Sequence, residues 1–153
     1  MTKLPEVEAA KELMREAAKW SVMKWLREKK RVRKTADQAN AALDRRIVEL
    51  KRRWPEEVRA AYELLGEGAA AKLNGRTRQL SSAKHGGASA IAQTLKDSHD
   101  RASAARMAAE QTFDDAERKL STSLAREGCV KAIESWDLHE RAISQSEKCI
   151  RNA

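Results

Sequence analysis

Apolar side chains return every three or four residues through the front of this chain, and that cadence excludes most folds. Val32, Ala36, Ala39, Leu43, Ile47, Leu50, Trp54, Val58, Ala61 and Leu65 follow one another at steps of 4, 3, 4, 4, 3, 4, 4, 3 and 4. The mean step, about 3.67, is the period of an α-helix with one apolar stripe, nearer an eleven-residue repeat than a heptad. A strand would alternate at two. The rear portion repeats the pattern: Ile91, Leu95, Ser98, Ala102, Ala105, Ala109, Phe113, Ala116, Leu120 and Leu124 give the same mean. Between Leu4 and Leu26 the apolar arc is wider, as in a helix that meets two neighbours.

Glycine marks the division between the two portions. Five of the six glycines lie between Gly66 and Gly87. The pattern predicts a single all-α domain: arm one over about residues 5–65, a Gly/Ser-rich connector over about 66–87, and arm two over about 88–127 and 129–151. Arms of nearly equal length suggest a long antiparallel helical hairpin, or a coiled-coil-like helical bundle, with residue i opposite about 153 − i. A bare hairpin has little core for its surface, so a fold-back into three or four helices, or dimerisation, is expected.

Three breaks need an account. Pro5, followed by Glu6 and Glu8, suits a helix start. Pro55 interrupts arm one, yet the stripe keeps phase through Trp54 and Val58, which favours a kinked continuous helix over a clean break. After Leu124 the phase slips to a new heptad origin: Cys129, Ile133, Trp136, Glu140, Ile143, Glu147 and Ile150. Gly128 sits beside the slip, so the break is expected near Gly128, as a helix end, a kink or a bulge. In the hairpin register Gly128 makes room for Trp25, and His99 fills a groove near Trp54 and Pro55. A short helix over residues 67–73 is a further expectation for the connector.

Charge is concentrated in one stretch. The chain has 31 basic and 23 acidic residues, net +8. Residues 19–53 alone hold thirteen basic and four acidic side chains. Lys29, Lys30, Arg31, Arg33, Lys34, Arg45, Arg46, Arg52 and Arg53 form the candidate anion patch. Such a patch attracts nucleic-acid phosphates, an acidic protein or an anionic lipid surface, and it also occurs as a plain solvated helix face. The run Lys29–Lys34 has the composition of a nuclear-import signal. Trp25, Leu43, Ile47, Leu50, Trp54 and Trp136 are the candidate packing or interface residues, because they fall on or beside the stripes.

Catalytic readings are weak. None of His85, His99 and His139 follows a glutamate by three residues, as a di-iron bundle requires. Cys129 and Cys149, twenty residues apart, fit no zinc spacing and read as free thiols. Ser98, His99 and Asp100 are the residue types of a hydrolytic triad, but neighbours on a helix point to different sides. No glycine-rich phosphate loop is present. No catalytic, cofactor or metal residue is therefore assigned. The front end has no apolar signal core and no run is long enough to span a bilayer, so a cytoplasmic protein is expected, or a nuclear one if the source is eukaryotic. The first expectation for function is a non-enzymatic interaction or scaffold protein that binds itself or another helical protein. The alternative is an accessory nucleic-acid-binding protein using residues 19–53.

Overall fold

Five helices and no strand are found among residues 3–67 and 86–152, which the computed structural model describes. They are α1 (Pro5–Ala17), α2 (Val22–Arg53), α3 (Glu56–Glu67), α4 (Gly86–Lys119) and α5 (Thr122–Arg151). Most of the connector, including residues 68–73 of its expected short helix, lies outside the described residues.

The helix ends follow local chemistry. Pro5 occupies the first turn of α1 with Glu6 and Glu8, where carboxylates meet the positive end of the dipole. Ser21 caps α2 by accepting the Lys24 N–H at 3.2 Å, and Ser121 caps α5 by accepting the Leu124 N–H at 3.2 Å. α2 ends in Lys51, Arg52 and Arg53, cations at the negative end of its dipole.

At Pro55 the chain breaks cleanly rather than kinking. Trp54 has φ −63° and ψ 148°, the extended conformation that a following proline ring enforces. The Pro55 carbonyl then accepts the Arg59 N–H at 3.0 Å and α3 begins. The apolar phase survives because Trp54, Val58 and Ala61 still face one cluster, shared with Ala92 and Leu95 of α4.

The second break falls at Leu120, ahead of the expected position at Gly128. Leu120 has φ 51°, and the Ser121 N–H reaches back to the Ala116 carbonyl at 3.2 Å. This six-to-one bond closes a Schellman turn with leucine where glycine is usual. The chain reverses here, so arm two is itself a hairpin of α4 and α5. The phase slip after Leu124 records that reversal.

α4 and α5 run antiparallel and make the most extensive helix contact in the fold. Ser98 bonds Gln145 near one end, and Lys131 donates to Thr112 at 3.2 Å near the other. Small residues on both sides allow the approach: Ala102, Ala109 and Ala116 on α4, Ala125, Ala132 and Ala142 on α5, all buried. Seven buried positions of α5 (Ala125, Cys129, Ala132, Trp136, His139, Ile143, Ser146) keep strict heptad steps, with Gly128, Ser135 and Ala142 buried beside them. α2 runs parallel to α5, tied by the Trp136 Nε1 bond to Asn40 Oδ1 at 2.8 Å and by Arg46 to Glu147 at 3.1 Å. α1 lies across both, its Lys11 paired with Glu140 and, at 2.7 Å, with Asp137 of α5. Burial opposes the Lys11 charge, but the hydrogen bonds it donates to the two carboxylates, with their charge, outweigh burial and hold the ammonium pKa above its ordinary value.

The front-to-rear pairing therefore holds in direction but not in closeness. Trp54 and His99 have ring centroids 6.1 Å apart, as the 153 − i register places them. Farther along, α2 and α4 meet through ion pairs between long side chains and through the Trp25–Phe113 contact, and the most extensive neighbour of α4 is α5. Trp25, Leu43, Leu50, Trp54 and Trp136 are buried within the chain's own core, and Ile47 is half-buried.

Gly128 is interior to α5, and the ring it admits is Phe113. A Cβ at Gly128 would stand 2.6 Å from a Phe113 ring carbon. Phe113 in turn stacks on Trp25, with centroids 5.2 Å and planes 17° apart. Gly128→Ala is expected to lose about 1 kcal/mol net, because overpacking of about 1–3 kcal/mol exceeds the ~1 kcal/mol helix-propensity gain. Phe113→Leu in the same chain should relieve the clash, so urea denaturation of the four-variant cycle should show the two changes coupled by about 1–2 kcal/mol. Strict additivity would disprove the account.

Candidate polyanion interface

A helix turns about 100° per residue, so positions alone fix which cations of α2 share a face. Arg27, Lys30, Lys34, Arg45 and Arg52 fall within an arc of about 60°. The arc is opposite Val32, Ala39, Leu43 and Leu50, which are at most 1% exposed. All five cations are exposed, and none has an ion-pair partner among the described residues. Ala41 and Val48 complete the arc, which contains no carboxylate. Gln38 and Asp37 stand about 20° outside its two edges.

The other candidate cations are engaged elsewhere. Arg33 donates to Asp114 at 2.6 Å and to Glu117 at 3.0 Å, and Lys29 approaches Glu117 at 3.8 Å. Arg33 is half-buried. Burial disfavours its charge, yet the two carboxylates more than compensate and raise its pKa. Arg46 bridges Glu49 at 3.2 Å and Glu147 at 3.1 Å. Arg31 pairs with Glu28 one turn away, at 3.6 Å. These cations brace α2 against α4 and α5 or stabilise α2 itself. Arg53 has no ion-pair partner among the described residues but is turned off the arc.

The nine candidates thus separate into a bracing set (Lys29, Arg33, Arg46), an intrahelical pair (Arg31), four members of a free stripe (Lys30, Lys34, Arg45, Arg52) and an outlier (Arg53). Arg27 belongs to the stripe and lay outside the candidate set. Its signal was available, since the steps from 27 to 34, 45 and 52 are seven, eleven and seven, each close to whole helical turns. The stripe runs from Arg27 to Arg52, about 37 Å at 1.5 Å per residue. At one end Lys29, Lys30, Arg33 and Lys34 line an open concavity together with the carboxylates Asp37 and Glu117.

Among the described residues no group of three or more His, Cys, Asp or Glu side chains is placed to hold a metal ion. No helix among them is long and apolar enough to cross a membrane. Cys129 and Cys149 are free, and burial pushes the Cys129 thiol up to about 12, far from a reactive thiolate. The chain matches no protein-family model, no curated protein and no solved structure.

Proposed function

We propose that this chain is a non-enzymatic helical binding protein that holds the phosphate backbone of a nucleic acid on the outer face of α2. The observation that carries the reading is the division of charge. Lys29, Arg33 and Arg46, which face the bundle, have carboxylate partners, whereas five cations on the solvent face have none among the described residues and share one line. Lone charged pairs on a surface contribute little to stability, so an unpaired row has no structural role to explain it. A lipid surface fits less well, because an interfacial helix inserts its apolar face and that of α2 is committed to the core.

Fluorescence anisotropy with labelled DNA and RNA oligonucleotides tests the proposal. Five phosphate contacts imply that affinity falls roughly 500-fold between about 50 and 200 mM salt. The variant Lys30→Glu, Lys34→Glu, Arg45→Glu, Arg52→Glu should lose binding while its melting temperature stays close to that of the parent, since none of the four supports the core. Absence of binding at low salt rejects the reading.

A protein scaffold is the second reading, favoured by a groove of about 720 Å³ where α3, α4 and the end of α5 meet. Val58, Leu95 and Cys149 line it, with Ile91 43% exposed. Light scattering that returns only the 17.2 kDa species removes self-association from that reading.

A further inference from the structure

We infer that the α2 stripe is built for double-stranded nucleic acid, taken without regard to base sequence; this rests on the phosphate-binding reading above. The first ground is rigidity. α2 is unbroken over 32 residues, contains no glycine or proline, and is anchored along its length by α1 and α5. Its cations stand on flexible side chains, but their attachment points share one face of a single continuous helix. A duplex is an equally stiff polyanion, with about one charge per 1.7 Å of axis, so the two meet without either being bent or straightened. A single strand would have to be pulled taut along the row, losing conformational freedom for the same phosphate contacts.

The second ground is the whereabouts of the aromatic rings. Proteins that hold single strands stack the bases on exposed aromatic side chains. This chain has six aromatic residues and none lies on the stripe. Trp25, Trp54, Phe113 and Trp136 are 1–4% exposed. Tyr62 packs edge-on against Trp54 and carries the Lys51 ammonium 4.7 Å above its ring. Trp20 is half-buried before the start of α2, with Lys24 5.1 Å from its centroid. Bases therefore find no platform here.

The third ground is what lies between the cations. Of Gln38, Ala41 and Val48, only Gln38 carries a hydrogen-bonding group for a base edge. Contacts to phosphates position a protein but read no sequence. The expected complex is electrostatic, indifferent to sequence, and formed by about five phosphates.

A competition experiment decides the matter. A labelled DNA duplex of about 24 base pairs bound to the full chain is displaced by unlabelled duplex DNA, duplex RNA, the matching single strand, or vesicles of anionic lipid. The duplexes should compete at least tenfold better than the single strand, and shuffled sequences should compete equally. The log–log salt slope on duplex DNA should be near −4.5, moving by about 2 toward zero in Arg45→Gln, Arg52→Gln. The DNA and RNA arms show which duplex is preferred. A single strand that competes as well as the duplex overturns the inference and leaves the phosphate reading standing. Stronger competition by vesicles, or no binding of any nucleic acid at about 50 mM salt, overturns both.

Discussion

Acidification from pH 7 toward pH 4 should strip the fold of a large part of its stability, beginning well above the carboxylate range. His99 and His139 are 7% and 2% exposed. His99 lies against Trp54 and Tyr62, and Ser146 Oγ is 3.3 Å from its Nε2; its Nδ1 is unpartnered. Lys51 repels a proton there and Asp100 attracts one. His139 has no hydrogen-bond partner at either ring nitrogen, with Arg106 and His99 repelling a proton and Asp44 attracting it. Burial, then the nearby cations, depress both imidazoles to about 4.

In the unfolded chain a histidine titrates near 6.5. Between about 6.5 and 4 the unfolded state therefore binds two protons that the native state excludes. Stability is full above 6.5 and falls with pH, at up to about 1.4 kcal/mol per unit for each histidine. The combined loss approaches about 6 kcal/mol, against a typical total of about 5–15 kcal/mol for a domain. Urea denaturation at pH 7.5, 6.5, 5.5 and 4.5 measures it. His139→Leu should flatten the upper part of the profile by about half, because leucine takes up no proton. A parent profile that stays level from pH 7 to 5 would refute the burial argument.

Trp136→Ala should be the most damaging single truncation. The ring is 1% exposed at the junction of α2 and α5, and its Nε1 donates to Asn40 at 2.8 Å. Removing a buried tryptophan costs about 3–5 kcal/mol through the cavity it leaves. The Asn40 carbonyl loses its partner at the same time, adding roughly 1–3 kcal/mol if water cannot reach it. Trp136→Phe separates these contributions: it keeps most of the packing and removes the donor, so a loss of about 1–2 kcal/mol is expected. Far-UV circular dichroism through a urea titration reads both variants. Equal losses from the two would mean that the hydrogen bond, not the ring, holds the junction.

Much of the architecture was legible because buried helices write their period into the chain. The stripe from Val32 through Ala61 is the observed core of α2 and α3, and His99 stands beside Trp54 where the register put it. Two features misled for physical reasons. At Pro55 the break turns the chain without changing which side faces inward, so the pattern resembles a continuous helix. At Leu120 the left-handed turn residue is leucine, while the Arg118–Lys119 end and the Ser121 cap were the local signals of a stop and a restart; Gly128 drew attention as the nearest glycine, though its purpose is clearance for a ring. The alanines of α4 advertised a close helix neighbour but not which one. The charged stretch was plain in composition. Which of its members were free was not, because Asp114, Glu117 and Glu147, which neutralise Arg33 and Arg46, lie 81 to 101 positions away.

The nesting of Phe113 over Gly128 also constrains how this sequence can change over generations. Enlarging position 128 while the phenyl ring remains is a losing step, whereas trimming position 113 first opens a path to alanine or serine at 128. Descendants of such a chain should show these two sites altering together and in that order, with glycine kept wherever the ring is kept.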